Sequence, residues 1–446
     1  MSLDAKLLVV GEAIIDVTLP SKKKQTNLRL GGVLHACRAL WALRIPYDLA
    51  YLAPAYLDDH VCSFAQAHRC AYVFSIGTIF GCPNVILIPH PEEAHHQNYE
   101  LLLRDEQVIK FNDSACSRLS NGRYTDLLYF PGNSHVDTLL EELGRSSSRL
   151  HIDWGNISKD IRILTQLRRP ATTVFVSTSS DIFFSESGGS SDALCRSIIP
   201  ALGEQLLLKE NRGGGRLFDS SSGIHRIGAQ LRPVVHSVGV GDCFDAAYVG
   251  LSRQFSSEIA LAYAAFVSAE YASTIDPVEF EDGVKRTMKI DPEKVGDISG
   301  VSLAWEERSG INIYIAAADF SYRDRSLIDQ VISTLEYHNF SPRLPVREHG
   351  QLGPEDDNSK RLEIFGKDMA LLKLCDAVVA VYDSDDPGTL VEIGIAAGWN
   401  KPVILFDPYH RADNLMLTEL PAARVSTLDE LILEIFNLFN MLVRHD

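Results

Sequence analysis

Residues 310–446 hold six carboxylates whose spacing could do chemistry: Asp368, Asp376, Asp383, Asp385, Asp386 and Glu392. Asp383 and Asp385 read as solvated loop acids. Glu392 differs, because the stretch Thr389-Leu390-Val391-Glu392-Ile393-Gly394-Ile395-Ala396-Ala397 around it is otherwise apolar and small. A carboxylate in such surroundings is largely desolvated, which is costly unless it is hydrogen-bonded or used. Asp386 precedes it in the loop after the strand-like Ala377–Tyr382, so both acids can face one pocket. Paired carboxylates in unlike environments suit reactions at an anomeric carbon, where one attacks and another handles the proton of the leaving group.

A second candidate is Val238-Gly239-Val240-Gly241-Asp242-Cys243-Phe244, between a strand-like Pro233–His236 and a helical Ala246–Ser252. Amides at a glycine-rich helix N-terminus can bind the charge on a transferring phosphoryl group, which makes Gly239, Val240 and Gly241 a candidate anion hole. Asp242 stands where a general base could take the proton of an attacking hydroxyl; a structural turn with a helix cap is the alternative. Upstream, Asp16 ends the run Gly11–Asp16 after an apolar strand and could hold sugar hydroxyls. Gly31-Gly32 opens the helical His35–Leu43 and would let a ligand approach the backbone closely. His90, His95 and His96, with Glu92 and Glu93, read as a solvated loop because nothing else supplies a fixed coordination geometry, so no metal ligand is assigned. Lys22–Lys24 reads as an exposed loop and Gly213–Gly215 as a hairpin loop.

These residues need elements to position them. Strand-like runs such as Leu7–Val10, Asn84–Ile88, Asp126–Phe130, Thr173–Val176 and Gln205–Leu208 alternate with helical stretches, which predicts an α/β protein. After the helical Glu258–Ala272, residues 276–305 carry mixed charges, glycine and no sustained period, and a new strand at Ile311–Ala316 restarts the pattern. The reading is a first domain over 1–283, a linker over 284–309 and a second domain over 310–446. The second domain reads strand Ile311–Ala316, helices Ser326–His338 and Leu362–Leu374, strand Ala377–Tyr382, helix Thr389–Trp399, strand Pro402–Phe406 and helix Leu428–Leu442. Helices between strands imply a parallel sheet with a site at the carboxyl ends of its strands.

At 446 residues the chain is long enough for two or three domains. With 42 Lys+Arg against 59 Asp+Glu the net charge is −17, which repels phosphate backbones and argues against nucleic-acid or membrane partners. No apolar stretch approaches the roughly 20 residues of a membrane span. The opening Met1-Ser2-Leu3 leads almost directly into a strand, without the features of a secretory leader. Eight scattered cysteines, none paired at metal-binding spacing, read as free thiols of a cytoplasmic protein.

On the Gly11–Asp16, Gly31-Gly32 and Gly239–Asp242 stretches, residues 6–275 resemble the ribokinase-like (PfkB) sugar and nucleoside kinases. The resemblance implies a Rossmann-like domain with a small β-sheet lid, and a sugar-like substrate on Asp16, Gly31 and Gly32. It further implies an anion hole at Gly239–Gly241, Asp242 as catalytic base, and ATP with Mg2+ as cofactors. It makes Asp58 or Asp59 part of the loop after the second strand and Asp153 part of a later strand end. His35 stands where the family carries asparagine, His236 where it carries an acid, and Lys209 and Asn211 replace a threonine and a glycine, although Gly214 is kept. Val176–Asp181 lacks the family's Asn-x-x-Glu motif. Phosphoryl transfer depends on neutralising and positioning phosphates, so these departures bear on ATP use more than on sugar binding. Two readings stand: a kinase, or a ligand-binding module that regulates or feeds the second domain.

The second domain resembles the nucleoside 2-deoxyribosyltransferases. The matching residues are Ile313–Phe320, Asp368 with Asp376, Asp386-Pro387-Gly388-Thr389 leading to Glu392-Ile393-Gly394, Lys401-Pro402 and Asn414-Leu415-Met416. The resemblance implies a flavodoxin-like α/β sandwich that needs no cofactor. Glu392 would attack C1′ to form a covalent glycosyl intermediate and Tyr314 would orient it. Asp368 and Asp386 would bind the base and manage its proton, Phe320 would stack on the base, and Asn414 would reach the sugar of a neighbouring copy in a homo-oligomer. Ala318 stands where relatives often carry proline. A second base or water could accept the sugar, so transfer and hydrolysis both remain open. Small-molecule nucleosides or sugars are the expected substrates. A sensing pair without turnover is the weakest reading, because Glu392, Asp368, Asp386 and Asp242 are all present.

Overall fold

The computed structural model describes residues 6–20, 25–89, 99–120, 123–155, 157, 160–221, 223–298, 300–353 and 355–443. The histidine-rich stretch His90–His96 and the cationic run Lys22–Lys24 lie outside the described residues. The chain forms two compact units, the first ending at Ser302 and the second beginning at Leu303. The stretch 284–309, expected as a linker, is shared between them: Val284 and Val295 are buried in the first core, and Trp305 and Arg308 are buried in the second unit. Helix Pro277–Thr287 lies in the stretch where the sequence showed no period. Asp276 caps it, accepting from the amides of Val278 (2.7 Å) and Glu279 (3.0 Å), and only Phe280, Gly283, Val284 and Thr287 are buried among its mixed charges.

The first unit has strands β1 (Leu7–Thr18), β2 (Asn27–Gly32), β3 (Tyr47–Ala53), β4 (Tyr72–Phe80), β5 (Val85–Ile88), β6 (Glu100–Leu101), β7 (Val108–Phe111), β8 (Asp126–Tyr129) and β9 (Arg149–Asp153). These are followed by β10 (Ala171–Ser177), β11 (Gly203–Lys209), β12 (Gly215–Asp219) and β13 (Gly223–Ile227). The main sheet runs β13-β12-β11-β10-β9-β8-β1-β3-β4-β7, parallel from β11 to β4 with antiparallel strands at both edges. Buried on both faces, its central strands read as unbroken apolar runs, of which Leu7–Val10 is the clearest.

β1 serves two sheets. Leu7–Glu12 pairs in parallel with β3, and Ala13–Thr18 then pairs antiparallel with β2, while Ile15–Thr18 runs parallel to β5. With β6 on β5 this makes the small second sheet, and it sets Asp16 opposite Arg29. The expected strand at Pro233–His236 is absent. The amides of Val235 and His236 donate instead to the Ala272 carbonyl (2.9 and 3.2 Å), tying this segment to the end of helix Ser257–Ala272 rather than to a ladder. The helix that follows starts earlier than the sequence suggested, at Val240–Leu251, so Gly241 and Asp242 belong to its first turn.

The second unit is a five-stranded parallel sheet of β14 (Asn312–Ala316), β15 (Ser341–Arg343), β16 (Ala377–Val381), β17 (Val403–Phe406) and β18 (Ala423–Val425), in the order β15-β14-β16-β17-β18. The order reverses between β14 and β16, which in open α/β sheets places the ligand crevice outside their carboxyl ends. The three-residue strands β15 and β18 are too short to leave a sequence period. Arg308 anchors the start of this unit: its buried guanidinium donates to the Leu303 carbonyl at 3.0 Å and lies 5.0 Å from the ring centre of Phe436. No helix among the described residues is long and apolar enough to cross a membrane.

Candidate functional site

At the β14/β16 switch point the sheet delivers Tyr314 from one strand, and the loop after β16 leads into helix Pro387–Gly398, which carries Glu392. Asp386 caps that helix, with Pro387 at its first position: Oδ2 accepts from the Thr389 amide (2.9 Å) and hydroxyl (3.0 Å). An aspartate at this point answers unpaired amides and faces the positive end of the helix dipole, which explains why a carboxylate tolerates near-complete burial there. The buried Tyr314 hydroxyl donates to Glu392 Oε1 at 2.6 Å. Burial pushes the Glu392 carboxyl up to about 7 against the lowering pull of the Tyr314 bond, and the charges of Asp368 and Asp386 add to the rise. Burial together with Glu392 and Asp368 raises Tyr314 as well, so the phenol keeps its proton and remains a donor.

Asp368 lies on helix Asn358–Leu374, where Oδ1 is 2.7 Å from His349 Nδ1. Nothing in the sequence marked His349, a lone histidine in a polar stretch. Asp319 was quoted only as part of the β14 motif; it is buried and takes a forked contact from Arg347 (2.7 and 3.2 Å), which also reaches Asp329 at 2.6 Å. Phe320 stacks on Tyr322, their planes 1° apart and ring centres 5.4 Å apart. Asn414 is exposed and spends its Oδ1 on the Met416 amide (2.9 Å), capping helix Leu415–Glu419. Asp376 accepts from the Asn312 amide at 2.7 Å, which places it at the amino ends of β16 and β14, away from the switch point. The structure thus brings Tyr314, Asp368 and Asp386 within electrostatic reach of Glu392, while Phe320 and Asn414 are held by other partners.

A cleft of about 350 Å³ lies elsewhere in this unit, lined by Asp407, His410, Arg424, Ser426, Glu430 and Glu434 beside β18. Two of its acids are already engaged. Asp407 accepts from the Arg411 and Ala412 amides (both 2.9 Å), and Glu430 accepts from the Ser426 amide (2.7 Å).

In the first unit, Gly239 caps helix Val240–Leu251 with a left-handed φ of 78°, and a Cβ there would meet the His35 ring at 2.1 Å. Glycine is required on both counts. Asp242 sits in the first turn, its carboxyl pushed up to about 7 by burial and by Asp153, against the pull of Lys209. Lys209 Nζ lies 2.8 Å from Asp245 and 3.3 Å from Asp153, and a Cβ on Gly241 would come within 3.3 Å of it.

Asp16 is nearly fully buried, 3.1 Å from Arg29 Nε and 3.0 Å from His35 Nε2. Burial would raise it, but His35 and Arg29 hold it below the usual carboxylate range. Burial brings His35 itself down to about 4, so at pH 7 its ring is neutral and Arg29 supplies the balancing charge. Arg29 also reaches the His236 ring (3.1 and 3.2 Å) and donates to the Val238 carbonyl (2.9 Å), bridging the small sheet to the turn before Gly239. Gly31 leaves room for Asp16, whose Oδ1 a Cβ would approach to 2.1 Å, and Gly32 has φ +61°. Arg29 was not singled out in the sequence. Its pairing with Asp16 depends on the β1/β2 register, which no local motif reveals.

Residues 313–428 match the family model Nucleoside 2-deoxyribosyltransferase. No curated protein matches the chain. Among solved structures it is similar to a ribokinase of Arabidopsis thaliana complexed with ribose and ATP (15% identity, 65% of this chain and 100% of that one, TM-score 0.48). It is also similar to a nucleoside kinase of Burkholderia thailandensis in complex with ADP-inosine (14%, 64% and 97%, 0.48), and to a fructokinase of Xylella fastidiosa with bound ATP (12%, 64% and 98%, 0.47).

Proposed function

We propose that the chain is a two-unit enzyme of nucleoside or sugar metabolism whose second unit cleaves an N-glycosidic bond through Glu392. The observation that carries this reading is the Tyr314–Glu392 hydrogen bond at the switch point, with Asp386 and Asp368 close enough to raise the carboxyl. The family match over 313–428 supports it. With Oε1 occupied by the Tyr314 proton, Oε2 is the oxygen that attacks C1′. The C1′–base bond breaks as the ester forms, its electron pair leaves with the base, and Asp386 or Asp368 delivers the proton the base needs. A second base or water then attacks C1′ and frees Glu392. His349 positions Asp368 for its part. Incubation of a deoxynucleoside with and without a second free base should give an exchanged nucleoside or free base, and rapid denaturation should trap one deoxyribosyl unit on Glu392. Turnover with no adduct on residue 392 would remove the covalent step.

For the first unit, phosphorylation of a sugar or nucleoside hydroxyl with ATP, Asp242 acting as base, competes with ligand binding without transfer. The Arg29–Asp16 ion pair favours the second reading, because the acid expected to hold sugar hydroxyls is already balanced by a cation of the chain. The intact chain, given ATP, Mg2+ and a panel of sugars and nucleosides, should release no more ADP than its Asp242→Asn variant; release above that control makes it a kinase.

The second unit reads as part of a homo-oligomer. Helix Asn358–Leu374 buries only Ile364, Leu371 and Leu372, while Leu362, Phe365 and Leu374 are exposed, as are Val391 and Trp399 on the helix of Glu392 and its cap. Leu362 and Phe365, one turn apart on their helix, form an exposed apolar pair of the kind that contacts a partner. A second copy is the occupant that the exposed Asn414 calls for, since in that reading it completes a neighbour's site. Phe365→Asp should lower the mass measured by light scattering to that of one chain and reduce turnover; an unchanged mass would place the face outside the interface.

A further inference from the structure

We propose that Lys209 is the resident cation of the first unit: its ammonium fills the seat that a Mg2+ ion accompanying a nucleotide would need, so this unit binds no divalent ion there. The inference rests on the reading of this unit as one that binds without transfer, and it concerns residues other than Asp16 and its partners. Mg2+ in phosphate-handling sites is held by one or two carboxylates together with water and substrate oxygens. Asp245 and Asp153 present two such oxygens to a single point, at 2.8 and 3.3 Å, beside the first turn of helix Val240–Leu251. The donor set suits a hydrated cation, but the point is taken by Lys209 Nζ.

Lys209 closes β11, whose pairing with β10 runs Ser177↔Lys209, so the ammonium is delivered by the sheet rather than by a loop. Its side chain is largely buried, and Asp245 is fully buried with Oδ1 lacking a hydrogen-bond partner. A divalent ion entering here would meet a fixed positive charge at contact distance in a poorly solvated site, where like charges repel most strongly. The groups facing Lys209 come from every neighbouring element: Asp153 from the end of β9, Asp242 and Asp245 from the helix, and the Phe175 ring of β10, whose centre is 5.8 Å from Nζ. Burial, with the nearby charge of Asp153, raises the Asp242 carboxyl even against the pull of this ammonium. Mg2+ therefore does not fit this seat as it stands, and no step is routed through it.

The test is Mn2+ binding to the intact chain, read by the loss of the free-ion electron paramagnetic resonance signal. The unaltered chain and Lys209→Arg, which keeps the charge, should show no site that Asp245→Asn removes. Lys209→Gln leaves two facing carboxylates uncompensated and should gain one Mn2+ per chain, lost again in Lys209→Gln/Asp245→Asn. A site in the unaltered chain that Asp245→Asn abolishes overturns the proposal, and so does a folded Lys209→Gln that gains none. If Lys209→Gln does not fold, the unaltered chain and Lys209→Arg still decide. The two ideas fail separately: metal-free ADP release would make the unit a kinase while leaving Lys209 as its cation, and Mn2+ uptake without ADP release would do the reverse.

Discussion

Glu392→Gln should abolish glycosyl transfer or hydrolysis, by on the order of 10³-fold or more, because the amide offers no anionic nucleophile while still accepting the Tyr314 bond. The same variant should be more stable than the parent above pH 7. In the folded chain the carboxyl is raised from 4.5 to about 7, so the native state binds more protons than the unfolded state between these values, and stability falls as pH rises through this window. Ionising Glu392 in its half-buried place costs at most roughly 3 kcal/mol, since partial solvent access lowers the figure. Melting curves of the two proteins should coincide near pH 4 and separate above pH 7, with glutamine the higher. In the parent, kcat/KM for a deoxynucleoside should fall about tenfold per pH unit below 7, as protonation removes the nucleophile. A Glu392→Gln protein that turns over normally, or melts below the parent at pH 8, contradicts the assignment.

Asp386 caps its helix and, in the proposed reaction, also serves the leaving base, and two substitutions separate these roles. Asp386→Asn keeps a side-chain oxygen for the Thr389 amide, so the helix cap survives, but it removes a charge that raises Glu392 and a group able to pass a proton to the leaving base. Turnover should drop about 10²-fold with little change in melting temperature, and the pH midpoint should move down. Asp386→Ala loses the cap as well, at about 1 kcal/mol, and frees the first turn of the helix that carries the nucleophile, so both activity and stability should fall. If Asn keeps both turnover and stability while Ala loses both, Asp386 acts only as a cap.

Much of this was legible in the sequence because it was local. A lone Glu392 in an apolar helix, an Asp-Pro-Gly-Thr start and a buried Leu-Leu-Val-Val strand each report their own surroundings within a few residues. What escaped was set by register and by contacts distant in the chain. Arg29 meets Asp16 only because β2 folds back on β1 in one particular alignment. His349 meets Asp368 across two helices, and Lys209 finds its acids on β9 and on helix Val240–Leu251. Helix Pro277–Thr287 was hidden for another reason: it buries so little of its surface that its charges outvote its apolar positions. At Pro233–His236 a β-branched, apolar run suggested a strand, yet its amides found a helix end closer at hand.

The continuity of β1 has a mechanical consequence. One uninterrupted ribbon, from Leu7 to Thr18, forms the floor of the first unit and then part of its cover, so that cover cannot swing as a flap on a loose tether. Access to Asp16 must come from bending the ribbon itself, which strains the central sheet, or from parting Arg29 from His236. Amide exchange along Ala13–Asp16 should therefore be nearly as slow as along Leu7–Val10.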